Sequence, residues 1–488
     1  MSDAGNRKEL LLFQLACGFW ERDRIHGGFR RGGSGRGAGG LAAIRGAQLG
    51  GSVCVIERDQ VGGVCLNWGC IPTKSLIASA EVLRLAKRAA EFGVVIDGEV
   101  RADFAAMIAR KNKIIAGMVK GVEGLFKCHG VTHIRGRGAL HSAGRVEVNE
   151  ADGSVSDLSA NNVLLATGSR PARFPAFPID GKDILSSDDA VLLEEIPESL
   201  LIIGAGIIGC EFAFLFSALG CEVTMIEMLP RAVSTEDEDI SKLLERELKK
   251  EKVRLIVDQE IEGVEKKSGS VEAKLAGGGR VKAQKALISI GRALNTGDIG
   301  LESAGVALAE EGHIRVSGRM ETGVSGVYAA GDVAGGKLLA HKASAEGIVA
   351  VTNALGGDKT MRYETVPAGI FTHPEIGSIG LTEVQAKEAG KGVKTGRFPY
   401  RALGRSQAAG EIAGEVKIVA DEATGEILGV HIIGASAAEL IHEAAVAMTW
   451  ELSVDELAET IHAHPTLSES VMEAARAVRG MSVHQPKV

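Results

Sequence analysis

Short apolar runs recur along the chain, and several of them end at glycines or at an acidic residue. Residues 200–203 are apolar and lead into a glycine turn that contains Gly204, Gly206 and Gly209. An apolar helix is predicted from there to about residue 219, followed by the run 223–226, which ends at Glu227. Buried parallel strands have such continuous apolar runs. The order predicts a dinucleotide-binding βαβ unit, which consists of a strand, a glycine turn, a helix and a second strand that ends at an acid. The alternative is an ordinary glycine-rich turn.

A less complete copy of this plan lies upstream. Gly35, Gly37 and Gly40 precede a small apolar stretch, and the apolar run 53–56 ends at Glu57. The segment before Gly35 is rich in arginine and glycine, so it does not have the composition of a buried parallel strand. We therefore expect the first strand of this unit to be missing and residues 1–34 to be poorly ordered. A strand supplied by residues 10–17 would refute this expectation.

Two cysteines, Cys65 and Cys70, lie five positions apart, with glycines before them and Ile-Pro-Thr-Lys after them. Pro72 suits the first turn of a helix, and the partially positive helix N-terminus would stabilise a thiolate at Cys70. A thiol pair with one stabilised thiolate is suited to disulfide exchange. A structural disulfide, or two buried free cysteines, remain open alternatives.

Composition narrows the possible functions. The 488 residues suffice for several domains, and 45% of them are hydrophobic. A net charge of −8 and only 4% aromatic residues argue against binding to nucleic acid. No apolar run approaches the length of a membrane span. The chain has seven cysteines, an odd number, which are dispersed apart from the pair Cys65 and Cys70; this fits a reducing compartment with one catalytic disulfide.

Near the C-terminus, His462 and His464 are followed by Glu469. Thr466 and Glu469 have capping-box spacing, as Ser453 and Glu456 do upstream, so Glu469 taken alone is better explained as a helix cap. A His-x-His pair can bind metal, but no third ligand is near in sequence, and we expect no metal site. His462 is assigned a structural role.

These motifs, in this order, resemble the flavin-dependent pyridine nucleotide–disulfide oxidoreductases, and among them the members that oxidise dihydrolipoamide. The resemblance runs from about residue 37 to about 480 and includes the segments 166–169, 329–333 and 371–382. It implies an α/β fold with two Rossmann-like domains, one for FAD and one for NAD, and a C-terminal α+β dimerisation domain. The implied domains are 1–34 (atypical N-terminus), 35–169 (FAD, first part), 170–295 (NAD), 296–364 (FAD and central, second part) and 365–488 (dimerisation).

The resemblance also implies roles for single residues. Cys65 would exchange with the lipoyl dithiol, Cys70 would face the flavin as a thiolate, and His464, oriented by Glu469, would be the base. A carboxylate at Glu227 would bind the adenosine ribose and repel a 2′-phosphate, which favours NAD over NADP. The implied cofactor-binding residues are Gly35, Gly37, Gly40, Glu57 (FAD ribose), Lys74, Thr167, Gly168, Gly204, Gly206, Gly209, Glu211 (near Lys74 at the flavin), Glu227, Gly291, Asp332 (ribityl chain) and His341.

The function that the resemblance implies is oxidation of dihydrolipoyl groups with reduction of NAD. The implied partners are lipoyl domains of 2-oxo acid dehydrogenase or glycine cleavage complexes, and a second copy of the chain that supplies the base. We expect a bacterial cytoplasmic protein, with the mitochondrial matrix as the alternative. A glutathione- or mercuric-reductase-like enzyme and a flavin-deficient, non-catalytic paralogue remain as other functions. Three explanations of the missing strand remain open: a wrong start or reading frame, a divergent N-terminus, or a protein that lacks FAD. The first is favoured, since the sequence from Leu41 onward follows the family.

Overall fold

A computed structural model describes residues 9–13, as backbone, and residues 38–486. The chain forms two compact units, and each takes segments from several parts of the sequence. Unit 1 comprises residues 1–76, 105–172 and 291–361, and unit 2 comprises residues 77–104, 173–290 and 362–488.

The helices of the described residues, in chain order, are α1 (Ala38–Gln48), α2 (Gly63–Asn67), α3 (Cys70–Lys87), α4 (Phe104–His129), α5 (Ser187–Ala190), α6 (Ile207–Ala218), α7 (Glu238–Lys250), α8 (Ala340–Ala354), α9 (Glu383–Glu388), α10 (Gly404–Ala409), α11 (Ala437–Thr449), α12 (Val454–Glu459) and α13 (Glu469–Val478). Short 3₁₀ helices span Ala89–Phe92, Asp332–Ala334 and Tyr400–Ala402.

The strands of the described residues are β1 (Glu9–Phe13), β2 (Ser52–Glu57), β3 (Thr132–Ser142), β4 (Arg145–Glu150), β5 (Val155–Ser159), β6 (Val163–Leu165), β7 (Ser169–Pro171), β8 (Ile184–Leu185), β9 (Ser199–Ile203), β10 (Glu222–Ile226), β11 (Arg254–Ile256), β12 (Ile261–Lys267), β13 (Ser270–Leu275), β14 (Arg280–Ala283), β15 (Lys285–Ile288), β16 (Arg292–Leu294), β17 (Val327–Ala329), β18 (Ala368–Ile370), β19 (Glu375–Gly380), β20 (Val393–Pro399), β21 (Glu415–Asp421) and β22 (Ile427–Gly434).

Unit 1 is built on a seven-stranded sheet in the order β17-β6-β1-β2-β3-β4-β5. Strands β17, β6, β1, β2 and β3 are parallel, whereas β3, β4 and β5 form an antiparallel meander. Alternate residues of β2 enter two different cores: Val53 and Val55 pack with α1 and α8, and Cys54 and Ile56 pack on the other face. A sheet that is buried on both faces explains why β2 has a continuous apolar sequence.

Strand β1 corrects the expectation that the first strand is missing. Glu9–Phe13 pairs in parallel with β2, with Phe13 opposite Ile56, and also with β6, with Leu11 opposite Val163. The expectation that this position of the sheet lacks a strand is therefore wrong. The strand was missed because it does not directly precede the glycine turn, and pairing between parallel strands is set by contacts that are distant in sequence. Residues 1–8 and 14–37, which include Gly35 and Gly37, lie outside the described residues.

Unit 2 contains a parallel sheet, β11-β10-β9-β15-β8, and an antiparallel three-stranded sheet, β12-β13-β14. Its C-terminal part is an antiparallel sheet, β18-β19-β22-β21-β20, whose apolar face packs on α11 and α13. The mixed α/β architecture with a C-terminal α+β part agrees with the predicted fold class. Within the described residues, no helix is both long and apolar enough to cross a bilayer.

Candidate active site

A disulfide joins Cys65, in α2, to Cys70, the first residue of α3, and their Cα atoms are 4.6 Å apart. Helix α3 begins at Cys70 with Pro72 in its first turn, as the sequence predicts. The positive end of an 18-residue helix therefore lies beside the Cys70 sulfur, where it favours a thiolate once the disulfide is reduced. The other described cysteines are not disulfide-bonded, and Cys128 is the exposed one among them.

The chain around the disulfide is held by hydrogen bonds that the sequence pattern does not predict. The Asn67 amide donates to the carbonyl oxygens of Val61 (3.2 Å) and Gly63 (3.0 Å) and so fixes α2 against the loop before it. The Thr73 hydroxyl donates to the Gly69 carbonyl (2.7 Å), between the two cysteines. Asn67 and Thr73 are both buried, so these bonds are shielded from water.

Glu57 ends β2 and is 5% exposed. Its Oε1 accepts a hydrogen bond from the Asp59 N–H (2.9 Å), whereas its buried Oε2 has no hydrogen-bond partner among the residues that the structure describes. Burial raises the pKa of the Glu57 carboxyl from 4.5 to about 7. A buried carboxylate oxygen without a donor is the group that a ribose hydroxyl would satisfy. Glu57 therefore fits the FAD ribose-binding role that its position at the end of β2 implies.

A second polar network surrounds Asp332, in the turn after β17. Its Oδ2 accepts a hydrogen bond from the Ser169 hydroxyl. The Arg292 guanidinium donates to Ser169 Oγ (2.7 Å) and to the Ser169 carbonyl (2.9 Å). The carboxylate is thus oriented by a chain of donors from β7 and β16. Asp332 is recognisable from the sequence, whereas Ser169 and Arg292 are not, since nothing local links positions 169, 292 and 332.

Thr167 and Gly168 adjoin this network and are held by Asn295. The Thr167 hydroxyl donates to the Asn295 carbonyl (2.8 Å), and the Asn295 amide donates back to the Thr167 carbonyl (2.9 Å). Gly168 has a φ of 68° and Gly291 a φ of 120°, which only glycine adopts without strain. Thr167, Gly168, Gly291 and Asp332 therefore belong to one hydrogen-bonded region of unit 1.

The second glycine turn has the predicted strand–turn–helix–strand geometry. Gly204 has a φ of 96°, and a side chain at Gly209 would collide with the Gly204 carbonyl oxygen. Helix α6 follows directly, with Gly206 at its N-cap. Glu227 follows β10 and accepts hydrogen bonds from the Ala205 N–H (2.6 Å) and the Leu229 N–H (2.9 Å). The acid is thus fixed beside a helix N-terminus, an arrangement suited to a dinucleotide.

Four other predicted cofactor-binding residues, Lys74, Glu211, His341 and Gly40, lie on helices. Glu211 is 4% exposed in α6, and its Oε1 accepts a hydrogen bond from the Phe371 N–H (3.0 Å). Lys74 lies in the first turns of α3, and His341 is exposed near the start of α8. Gly40 is buried in α1. The approach of Lys74 to Glu211 and the flavin contact of His341 stay predictions.

His464 and Glu469 form the predicted pair. His464 Nδ1 is 2.9 Å from Glu469 Oε1, and Glu469 Oε2 accepts a hydrogen bond from the Thr466 N–H (2.9 Å). Burial would raise the pKa of the Glu469 carboxyl, but the hydrogen bonds from Thr466 and His464 outweigh it and hold that pKa below its ordinary value. Glu469 therefore both orients the histidine and secures the start of α13. The His464 side chain is 77% exposed, so the imidazole is available to a substrate.

His462 differs from His464 in its surroundings. Its Nδ1 is 2.8 Å from the Thr460 carbonyl oxygen and its Nε2 is 2.6 Å from Glu443 Oε1. With both nitrogens engaged and the side chain 6% exposed, His462 anchors the loop to α11. This is the structural role expected for it.

Comparison with known proteins identifies the family. The pyridine nucleotide-disulphide oxidoreductase model matches residues 33–347, and the dimerisation domain of the same family matches residues 366–475. The chain belongs to this family. It is 41% identical over 465 residues to a dihydrolipoyl dehydrogenase of Bacillus subtilis, covering 92% of this chain and 98% of the relative. It is 39% identical over 458 residues to the mitochondrial dihydrolipoyl dehydrogenase of Pisum sativum, covering 92% and 91%.

Solved structures of flavoprotein disulfide reductases and related enzymes have the same fold as this chain. LpdA from Mycobacterium tuberculosis matches with a TM-score of 0.85 at 31% identity, over 91% of this chain and 98% of that one. RclA, a flavoprotein disulfide reductase from Escherichia coli, matches with a TM-score of 0.81 at 26% identity, over 91% and 99%. As a member of this family, the oxidoreductase uses FAD and NAD, and the environments of Glu57 and Glu227 fit these cofactors.

Proposed function

We propose that this oxidoreductase is a dihydrolipoyl dehydrogenase, which oxidises dihydrolipoyl groups and reduces NAD. The observation that carries the proposal is the Cys65–Cys70 disulfide at the start of α3, in a chain about 40% identical over nine tenths of its length to dihydrolipoyl dehydrogenases of bacteria and plants. The disulfide lies in unit 1, which also contains Glu57 and Asp332.

The chemistry assigned to the cysteines is thiol–disulfide exchange. A thiolate of the substrate attacks Cys65 Sγ, the Cys65–Cys70 bond breaks, and Cys70 leaves as a thiolate that the N-terminus of α3 stabilises. The second substrate sulfur then attacks the mixed disulfide, releasing the cyclic lipoyl disulfide and the Cys65 thiolate. Bound FAD supplies the two-electron transfer from the resulting dithiol to NAD.

His464 is the base that we assign to this exchange. It accepts the proton of the attacking substrate thiol while Glu469, hydrogen-bonded to Nδ1, holds the imidazole in one orientation. The two carboxyl groups differ in their surroundings. The pKa of Glu469 is lowered, and this carboxylate remains a hydrogen-bond acceptor for His464, whereas burial raises the pKa of Glu57.

The remaining site assignments are proposals of the same kind. Gly35, Gly37, Gly40 and Glu57 bind the adenosine diphosphate part of FAD, and Thr167, Gly168, Gly291, Asp332 and His341 line its flavin half. Lys74 and Glu211 are each assigned a place near the reactive nitrogen of the flavin. Gly204, Gly206, Gly209 and Glu227 bind NAD.

The loop after Glu227 supports the preference for NAD. Arg231 is the first basic residue after Glu227, and its guanidinium donates to the Glu236 carbonyl (2.9 Å), the Ser234 carbonyl (2.8 Å) and the Ser241 hydroxyl (2.5 Å). A guanidinium engaged in this way does not turn to a 2′-phosphate without losing these bonds. The carboxylate of Glu227 repels the same phosphate.

The active form that we propose is a two-fold dimer in which His464 of one copy serves the disulfide of the other. The dimerisation-domain match and the exposed His464 support this. Large apolar side chains at the end of α11 and in the segment before His464 are exposed, with Val446 at 59%, Trp450 at 75% and Ile461 at 95%. Lipoyl domains of 2-oxo acid dehydrogenase or glycine cleavage complexes are the proposed macromolecular substrates, in the bacterial cytoplasm or, as the alternative, the mitochondrial matrix.

The names of two relatives favour a second candidate function, which is a flavin-dependent reductase that acts on a substrate other than the lipoyl group. RclA is named a disulfide reductase, and a relative from Glycine max, 40% identical over 451 residues, is named a leghemoglobin reductase. The flavin-deficient paralogue has lost its main support, because β1 occupies the position thought to be empty.

Substrate assays separate these functions. The purified chain is predicted to reduce NAD with dihydrolipoamide far faster than it oxidises NADH with glutathione disulfide, and to prefer NAD to NADP. Cys70→Ser is expected to abolish the reaction, and Cys128→Ser, at an exposed cysteine outside the disulfide, is the matched control that retains it. Faster turnover with another disulfide, or activity that survives in Cys70→Ser, would contradict the proposal.

A further inference from the structure

Two ionisable side chains inside unit 1 have no role in the reaction as described. Lys342 and Glu346 lie one turn apart on α8, and each side chain is 1% exposed. Lys342 Nζ is 3.0 Å from Glu346 Oε1. Apolar side chains of the same size often stabilise a fold as well as a buried ion pair does, so the pair calls for another explanation.

Both members of the pair reach the same turn. Glu346 Oε2 accepts a hydrogen bond from the Gly331 N–H (2.7 Å), and Lys342 Nζ donates to the Gly335 carbonyl (2.6 Å). Gly331 and Gly335 flank the 3₁₀ turn that begins with Asp332. The pair therefore binds the turn at both ends, once at an N–H and once at a carbonyl.

The turn needs such restraint because of its backbone. Gly331 has a φ of 82° and Gly335 a φ of 79°, values that glycine adopts without strain. Ordering glycine costs more conformational entropy than ordering other residues, and the hydrogen bonds with the pair offset part of this cost. Helix α8, which carries the pair, packs closely on α1. A Cβ at Gly347, next to Glu346, would be only 2.7 Å from the Ala38 carbonyl oxygen, so glycine at this position allows the close approach that fixes α8.

We infer that Lys342 and Glu346 are positioning residues for FAD: the ion pair sets the backbone of the Gly331–Gly335 turn and thereby the place of the Asp332 carboxylate. This inference rests on the proposed contact of Asp332 with the flavin's ribityl chain. Ser169 and Arg292 orient the carboxylate from one side, and the ion pair fixes the backbone that carries it from the other. Hydrogen bonds to charged groups are shorter and stronger than those between neutral groups, which suits a positioning role.

Two neutral double variants isolate the hydrogen bond to Gly331. Lys342→Met/Glu346→Gln and Lys342→Met/Glu346→Met bury no charge and have similar side-chain volumes, but only the first offers the Gly331 N–H an acceptor. We expect the holoenzyme of the Met/Met variant to bind FAD about tenfold more weakly than the Met/Gln variant, because a buried N–H is left unsatisfied. The visible circular dichroism of the bound flavin should change in the Met/Met variant and be close to wild type in the Met/Gln variant. FAD affinity follows from the fluorescence of flavin released on dilution.

Controls separate positioning from loss of stability. Lys417 is a buried lysine of unit 2 that contacts Asp237 (2.8 Å) and Glu383 (2.8 Å), so Lys417→Met should lower the unfolding temperature and leave FAD affinity within about twofold. Equal FAD affinity in the two double variants, or equal weakening by Lys417→Met, would overturn the inference. If the double variants do not accumulate in cells, hydrogen exchange of the Gly331 amide in the wild-type protein replaces them as the test. Slow exchange supports the hydrogen bond to Glu346 as a restraint on the turn, and fast exchange overturns the inference.

A separate variant tests the assumption beneath the inference. Asp332→Asn keeps the turn and its ion pair but removes the carboxylate. If Asp332→Asn leaves FAD affinity and the flavin dichroism unchanged, the proposed role of Asp332 is wrong, whatever the double variants show. If dihydrolipoamide is not oxidised by wild type while FAD binds as expected, the proposed function fails and the positioning role stands.

Discussion

Replacing Glu57 with glutamine is predicted to have opposite effects on two properties of the protein. The variant should gain stability as an apoprotein at alkaline pH, and it should lose affinity for FAD. Both effects have one cause. The buried Oε2 of Glu57 has no hydrogen-bond donor among the described residues, so ionisation of the carboxyl group lowers the stability of the folded protein. The glutamine side chain would keep the acceptor for the Asp59 N–H and remove the charge.

The magnitude follows from the pKa. A carboxyl whose pKa rises from 4.5 to about 7 on folding binds more protons in the folded state, so folding stability falls as pH rises through this window. The loss is fully present above about pH 7 and amounts to about 3 kcal/mol. Between about pH 5.5 and about pH 8.5, the stability of Glu57→Gln relative to wild type should therefore rise by about 2 kcal/mol. Any constant effect of the amide cancels from this difference.

The assay is urea unfolding of both apoproteins across this pH range, with FAD titration by flavin fluorescence beside it. FAD affinity should fall about 10- to 100-fold, since a hydrogen bond from a ribose hydroxyl to a charged acceptor is lost. Glu147→Gln, at an exposed glutamate of β4, is the control and should show neither effect. A stability difference that does not depend on pH, or unchanged FAD affinity in Glu57→Gln, would refute this reasoning.

Three further substitutions test other parts of the site. His464→Gln should lower kcat for dihydrolipoamide oxidation about 10²- to 10⁴-fold, because the thiol loses its base, and Glu469→Gln should lower it less; equal rates in wild type and His464→Gln would remove the base assignment. Glu227→Ser should reduce the preference of kcat/KM for NADH over NADPH, since the charge that repels the 2′-phosphate is gone, and an unchanged ratio would show that Glu227 does not select the cofactor. Leu11→Pro should destabilise unit 1 by about 3 kcal/mol or more and release FAD, because β1 is paired on both sides and proline removes a backbone donor; a variant that melts and binds FAD like wild type would contradict the central position of β1.

The parts of the fold that could be predicted from sequence are those whose elements are contiguous. The NAD unit has its strand, glycine turn, helix and acid within residues 199–227, and all of them lie where the pattern places them. The start of α3 at Cys70 was predictable because Pro72 marks a helix N-terminus locally. In both cases, neighbours along the chain determine the structure.

Strand β1 and the surroundings of Asp332 were not predictable in this way. Positions 14–37 separate Phe13 from α1, so the strand does not precede its glycine turn, and a five-residue apolar run alone does not specify its partners. Asp332 depends on Ser169 and Arg292, which are far apart in sequence and meet only when β7 pairs with β16. Glu469 has a capping-box spacing, but the Thr466 hydroxyl donates to Ala463 instead, and the carboxylate is shared with His464.

The central claim is that electrons pass between a nicotinamide and the Cys65–Cys70 disulfide by way of bound FAD. Anaerobic incubation of the holoenzyme with NADH, followed by alkylation of thiols and mass spectrometry of the peptides, tests it most directly. We predict that Cys65 and Cys70 become alkylated only after NADH is added and only when FAD is bound, while the labelling of Cys128 does not change. A Cys65–Cys70 disulfide that stays intact in the FAD-loaded protein under excess NADH would contradict the account.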